Sequence, residues 1–325
     1  MTNFIYVVLL IIGFILLIKG ADVFVDGASS IAKKIGIPSV IVGLTIVSLG
    51  TSAPELAVSS ISAFQGNNGI AIGNILGSNI FNTLVVLGGT AIASTLVIKK
   101  NIIKRDFFIN IIVILVLYFV CFGISFNGKD GVITRLDGII LLICAVIYTI
   151  VLIFSARKGK ISSDDLEVSK SIKTLPNVIK VVVGILAIVI GGKVVVDSAT
   201  QIAYSIGMSE KLVGLTIVAV GTSLPELVTS IVAALKGETE IAIGNVLGSN
   251  IFNILLILGL SSTINPIVAL GNLSIDLLFL IIVTLVIGVI IFINNKESIK
   301  RLNRIEGTFL VLLYVGYLSY IIIRN

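Results

Sequence analysis

Glu55 and Glu226 are the residues of this chain best placed to do chemistry. Each closes the same string, Gly-Thr-Ser-x-Pro-Glu, at positions 50–55 and 221–226, and each string interrupts an apolar run. Pro54 has no amide hydrogen and pushes Ala53 out of the α region, so the carbonyls near Leu49 and Gly50 lose their helical partners. Gly50 gives the chain freedom to unwind, and Thr51 and Ser52 can cap the half-helix that Pro54 begins. Freed carbonyls, hydroxyls and a carboxylate make an all-oxygen set, which suits hard cations such as Ca²⁺ or Na⁺ rather than Zn²⁺ or copper. A carboxylate within a membrane span is costly and is by default a functional group. Two of them side by side would repel, and one would take up a proton unless a divalent cation lay between them.

A second string supplies further oxygens. Gly-Asn-x-x-Gly-Ser-Asn-x-x-Asn occurs at 73–82 and again at 244–253. Ser78 and Asn82 are four residues apart, hence on one helix face, as are Ser249 and Asn253, and these four are expected to line the site. Asn74, Asn79, Asn245 and Asn250 could equally bond helix to helix. Gly73 and Gly77, like Gly244 and Gly248, have the spacing that lets helices approach closely. Asp26 and Asp197 stand near the ends of apolar runs, where either a capping or an ion-entry role fits.

The elements that must position these residues follow from composition. A soluble domain carries about 25% charged residues. This chain has 12%, with 57% hydrophobic residues and a mean hydropathy of +1.17, so its solvent is a lipid bilayer. A crossing needs about 20 apolar residues, and ten can be placed: 4–32, 38–64, 69–96, 106–125, 137–156, 177–206, 211–235, 240–262, 273–294 and 306–323. The first run lacks a basic start and a cleavage site and reads as a span rather than a signal peptide. Assigning connections alternately puts seventeen of the 23 Lys and Arg on one side, including Lys33, Lys99, Lys236 and Lys300. Only Lys129, Arg135, Lys211 and Arg324 fall on the other, and Lys19 and Lys193 lie within spans. The rich side is the cytoplasm, so both termini face outward across the cell membrane. The net charge of +6 thus reports topology and not nucleic-acid binding. Residues 157–176 are polar, carry both signs of charge, and read as a flexible cytoplasmic linker. Cys121 and Cys144 lie in apolar runs and read as small buried hydrophobes.

The two sets of strings belong to a larger repeat. Residues 43–82 align with 214–253 without a gap at an offset of 171, and 26 of the 40 pairs are identical. The match extends upstream, Asp26 with Asp197 and Gly20 with Gly191. The chain is therefore read as a duplication, 1–156 and 177–325, with five spans in each half. An odd number of spans inverts the second half relative to the first, the architecture of secondary transporters with a site at the bilayer midplane. The expected fold is an all-α polytopic membrane protein of ten transmembrane helices, in two inverted five-helix repeats with broken helices at the ion site. A passive cation channel is disfavoured, because a cage with two carboxylates binds too tightly for fast conduction. A membrane enzyme is disfavoured because a nucleophile–base pair is missing. No cofactor and no protein partner are expected beyond the transported ions and the bilayer.

The paired strings resemble the alpha repeats of the cation/Ca²⁺ exchanger superfamily, specifically its Na⁺/Ca²⁺ exchangers, over nearly the whole chain. The resemblance implies exchange of about three Na⁺ for one Ca²⁺. It also implies that Glu55 and Glu226, with the carbonyls of Thr51 and Thr222, hold Ca²⁺. Ser48, Thr51, Ser52 and Ser78 would form one Na⁺ site and Ala219, Thr222, Ser223 and Ser249 its mirror, with Asn82 and Asn253 lining the middle. K⁺-dependent relatives characteristically carry Asp at one of those last two positions; both are Asn here, which argues against a K⁺ requirement. Proton-coupled relatives, the H⁺/Ca²⁺ exchangers, resemble the chain less around Gly-Thr-Ser-x-Pro-Glu.

Overall fold

Apolar runs of this length fold as helices because a helix satisfies its own backbone where no water can. The computed structural model describes residues 2–123, 131–158, 174–207, 219–269, 273–293 and 298–324. Helix α1 (Thr2–Ile35) leads to a span bent by 50° between α2 (Ser39–Thr51) and α3 (Ala53–Phe64). Then come α4 (Gly69–Ala93), α5 (Lys100–Phe122), α6 (Arg135–Lys158) and α7 (Thr174–Ser205). A short helical turn, Ala219–Gly221, precedes α8 (Leu224–Leu235), followed by α9 (Thr239–Ile264), α10 (Leu273–Phe292) and α11 (Arg304–Arg324). Among the described residues eight helices are long and apolar enough to cross a membrane, the bent α2–α3 pair adds a ninth, and α8 is a shorter apolar helix. Most of the linker at 157–176 and the stretch 208–218, which opens the seventh expected span and the second repeat, lie outside the described residues.

Two features differ from a purely helical expectation. Short antiparallel ladders tie loops of the two halves together, β1 (Leu96–Lys99) with β4 (Ile299–Leu302), and β2 (Gly131–Ile133) with β3 (Ile267–Ala269). They pair backbone N–H and C=O groups of the connecting segments with one another. The helices are also widened to π geometry at Gly43–Val47, Asn82–Val86 and Asn253–Leu258. The last two begin at equivalent asparagines of the repeat, and such widening is frequent at functional sites.

α9 is the most enclosed element, with every residue from Ile241 to Phe252 buried. Its glycines permit this. A Cβ on Gly244 would stand 2.5 Å from the Val40 carbonyl oxygen, and one on Gly248 would stand 2.6 Å from Ser48 Oγ and 2.7 Å from the Leu44 carbonyl oxygen. A Cβ on Gly73 or Gly77 meets nothing within 4 Å among the described residues. Gly248→Ala is therefore expected to cost about 1–3 kcal/mol by overpacking, read as a lower melting temperature in detergent; an unchanged melting temperature would contradict this packing. α1 and α7 run antiparallel along their length, with Gly20 against Ala187 and Gly27 against Asn177 and Lys180. Cys121 is buried as expected, but Cys144 is exposed on α6, since that helix presents an outer face.

One stripe of α1, Asp22, Asp26, Ser29 and Lys33, meets the turn between α8 and α9. Lys236 Nζ reaches Asp22 at 2.8 Å and Asp26 at 2.6 Å, and Lys33 Nζ reaches Glu238 at 2.9 Å, where Ser29 also donates. Partial burial opposes charge on Glu238, but Lys33 and Ser29 hold its carboxyl below its usual range. Asp26 is thus an ion-pair partner rather than a helix cap, while Asp197 on α7 is exposed. Each half also carries a buried aspartate bonded to a tyrosine: Asp106 accepts from Tyr148 (3.2 Å) and Arg105 (3.0 Å), Asp276 from Tyr317 (3.1 Å) and Arg324 (3.0 Å).

Candidate ion site

The break after Thr51 is set by Pro54, which stands in the first turn of α3 and has no N–H for the Gly50 carbonyl. Gly50 itself stays helical; a Cβ there would stand 3.0 Å from Ile185, so its smallness serves packing and not unwinding. The turn falls at Ser52 (φ −80°, ψ 10°). Ser223, at the same point before α8, has φ −93° and ψ 6°. Neither serine caps its helix through its side chain. Their hydroxyls instead reach across to the other repeat, a correction to the capping expectation with a clear cause: a buried carboxylate is the stronger acceptor.

Ser52 Oγ donates to Glu226 Oε1 at 2.8 Å, and Ser223 Oγ donates to Glu55 Oε1 at 2.9 Å. Ser78 Oγ reaches the same Glu55 oxygen at 3.3 Å. The hydroxyls of Ser52 and Ser249 are 3.1 Å apart, and those of Ser223 and Ser78 are 3.0 Å apart. Both carboxylates are 0% exposed. Among the described residues, Glu55 Oε2, Glu226 Oε2, Asn82 Oδ1 and Asn253 Oδ1 have no hydrogen-bond partner. An unpaired oxygen on a buried carboxylate is among the costlier features a protein can hold.

Around this centre the asparagines hold the two repeats together. Asn245 donates to Ser230 Oγ (3.0 Å) and to the Glu226 carbonyl (3.3 Å), while Thr51 Oγ1 lies 3.1 Å from its Oδ1. Asn74 does the same with Ser59 Oγ (3.0 Å), the Glu55 carbonyl (3.4 Å) and Thr222 Oγ1 (3.3 Å). Each asparagine therefore fastens the threonine of one repeat to the glutamate backbone of the other. Ser59 and Ser230 were not singled out from sequence, although their identity at the 171-residue offset marked them.

Of the expected residues, Glu55, Glu226, Ser52, Ser223, Ser78, Ser249, Thr51 and Thr222 are buried and joined by this network. Asn82 and Asn253 are buried without a hydrogen bond to it among the described residues, Asn253 donating to Asn79 Oδ1 at 2.9 Å. Ser48 is fully buried, and its hydroxyl donates to the Leu44 carbonyl at 2.9 Å. Ala219 opens the turn Ala219–Gly221, and its side chain is outside the described set. The arrangement can neutralise positive charge with two carboxylates and complete a coordination shell with hydroxyl and amide oxygens. A proton and a divalent cation are then alternative ways to relieve the repulsion between the two carboxylates. Cation uptake is expected to weaken as pH falls from about 8 to about 5 and to recover with more Ca²⁺. A flat profile, measured as ⁴⁵Ca²⁺ flux, would contradict the shared enclosure.

Residues 5–154 and 177–323 match the family model described as sodium/calcium exchanger protein. The sodium/calcium exchanger MaX1 of Methanosarcina acetivorans is 33% identical over 354 aligned residues, covering 95% of this chain and 96% of that one. The inner membrane protein YrbG of Escherichia coli is 36% identical over 265 residues, 79% of each. Among solved structures, the sodium-calcium exchanger NCX_Mj, soaked with 2.5 mM Na⁺ and 0.1 mM Ca²⁺, superposes with a TM-score of 0.80 at 28% identity. That match covers 97% of this chain and 98% of the other.

Proposed function

The chain belongs to the sodium/calcium exchanger protein family, a multi-pass membrane family of cation/Ca²⁺ antiporters, and from that premise we propose that it exchanges Na⁺ for Ca²⁺. The transport runs by alternating access, with three Na⁺ for one Ca²⁺ and one net charge moved per cycle. Ten spans form two inverted five-helix halves, 1–156 and 177–325, joined by the cytoplasmic linker 157–176, with both termini outside the cell membrane. The family match, which falls in two stretches, is in keeping with that division.

Glu55 and Glu226, with the carbonyls of Thr51 and Thr222, hold Ca²⁺. Na⁺ takes Ser48, Thr51, Ser52 and Ser78 on one side and Ala219, Thr222, Ser223 and Ser249 on the other, and Asn82 and Asn253 face the middle. The observation that carries this reading is the pair of fully enclosed carboxylates, each with one oxygen unpartnered among the described residues. A divalent cation balances two such charges, and several monovalent cations can replace it on the same oxygens. The hydroxyl of Ser48 still has lone pairs to offer while it donates to its own helix.

The test is Ca²⁺ uptake into proteoliposomes with and without an outward Na⁺ gradient. Uptake that needs the Na⁺ gradient supports the reading. Uptake that follows a pH gradient instead would make the protein an H⁺/Ca²⁺ exchanger, and uptake indifferent to both would sink antiport.

A further inference from the structure

Asn82 and Asn253 occupy equivalent places in the two repeats, yet they keep different company. Asn253 Nδ2 donates to Asn79 Oδ1 at 2.9 Å, which aims the remaining Asn253 Oδ1 away from that bond and leaves it without a partner among the described residues. The matching bond would join Asn82 to Asn250. Instead both amide atoms of Asn82, and Asn250 Oδ1, have no partner among the described residues, although Asn82 and Asn250 are 0% and 1% exposed.

The cause is one residue beyond the repeat. Asn250 Nδ2 donates to Thr83 Oγ1 at 2.9 Å. The counterpart of Thr83 is Ile254, fully buried, which has no oxygen to accept. Asn79 Nδ2 therefore goes to the Asn250 backbone carbonyl at 3.1 Å, and Asn79 Oδ1 stays available to Asn253. The hydroxyl at 83 draws Asn250 aside, and the methyl groups at 254 leave Asn79 in place.

We propose that Thr83 is a positioning residue that breaks the symmetry of the ion site: through Asn250 it leaves Asn82 untethered, while Asn253 is held with its oxygen fixed. This rests on the antiport reading above and adds a division of labour to it. A pre-aimed oxygen favours a single cation at one point. An amide free to turn can offer its oxygen to one set of cations and withdraw it for another, as a site alternating between one divalent and several monovalent ions requires. The bland alternative is that Thr83 only packs π segment against helix, in which case its hydroxyl is dispensable to ion handling.

Thr83→Val removes the hydroxyl at nearly constant volume. Asn250 is then expected to turn back and accept from Asn82, fixing the second amide. The KM for Ca²⁺ in Na⁺-driven uptake should fall roughly two- to tenfold, one hydrogen bond's worth, and turnover should fall with it. Thr83→Ser, which keeps the hydroxyl, should restore both values. Ile254→Thr should release Asn253 and raise KM by a similar factor, whereas Ile254→Val, a volume control, should not. Equal kinetics for Thr83→Val and Thr83→Ser would overturn the proposal. So would a high-resolution structure of Thr83→Val in which Asn250 remains apart from Asn82, a result that does not depend on transport. Failure of the antiport reading shows separately, as absence of Na⁺-driven uptake by the unaltered protein; the structure of Thr83→Val still decides the role of Thr83.

Discussion

Glu55→Gln and Glu226→Gln are each expected to abolish Ca²⁺ transport while leaving a folded protein. The amide keeps the shape of the side chain and can still meet Ser223 or Ser52, but it removes one of the two buried charges proposed to face a divalent cation. Several kcal/mol of cation binding go with it, and about 2.7 kcal/mol is already a hundredfold in affinity. The stability change has the opposite sign. Without cation, a buried carboxylate with an unpartnered oxygen is a destabilising group, so each variant should melt no lower than the parent in Ca²⁺-free buffer. The parent should gain melting temperature with added CaCl₂ and the variants should not, because only a state that binds the ion is stabilised by it. Parent-like ⁴⁵Ca²⁺ flux in either variant would remove that carboxylate from the ion site.

Voltage dependence is the second large effect. In the proposed exchange two carboxylates balance one Ca²⁺, whereas three Na⁺ would leave one net positive charge on the site. A tenfold Na⁺ gradient is worth about 1.4 kcal/mol per ion, roughly 4.2 for three. A potential of about 100 mV adds about 2.3 kcal/mol for the uncompensated charge, roughly a 50-fold change in the Ca²⁺ ratio that can be held. Na⁺-driven Ca²⁺ flux in liposomes clamped with K⁺ and valinomycin should follow the imposed potential in sign and size. Flux that ignores the clamp would mean electroneutral coupling and would remove the three-to-one stoichiometry.

Much of this was legible in the chain itself, for identifiable reasons. Spans announce themselves because hydrocarbon leaves the backbone no choice, and the helices follow the apolar runs closely except at the seventh, whose start lies outside the described residues. The bend near Thr51 was legible because proline forbids one hydrogen bond wherever it sits. The repeat named Glu55, Ser78, Asn82 and their counterparts together. Less legible were features that depend on what stands opposite. Ser52 was expected to cap its own helix, and only the fold shows Glu226 within reach of its hydroxyl. The ladder of Leu96–Lys99 on Ile299–Leu302 joins residues some 200 apart, and strands of three or four residues have no periodicity to read. The π segments depend on tertiary packing that a run such as Asn82–Val86 does not announce. Identical strings also invite the assumption of identical environments, which Thr83 and Ile254 defeat from just outside the repeat.

The turn between α8 and α9 also makes the protein respond to dissolved salt. Lys236 and Glu238 fasten it to α1 with ion pairs whose partners are partly open to solvent, Lys33 being 58% exposed. At the matching turn after α3 stand Gln65 and Asn67, which carry no charge. Charges open to water are muted by salt over a Debye length of about 10 Å at 0.1 M, whereas amides are not. Raised ionic strength is therefore expected to loosen the grip of this turn on α1, whereas the α3–α4 turn has no charge at the matching positions 65 and 67 for salt to weaken. Two turns at matching places of the repeat are thus unequal in their sensitivity to dissolved salt.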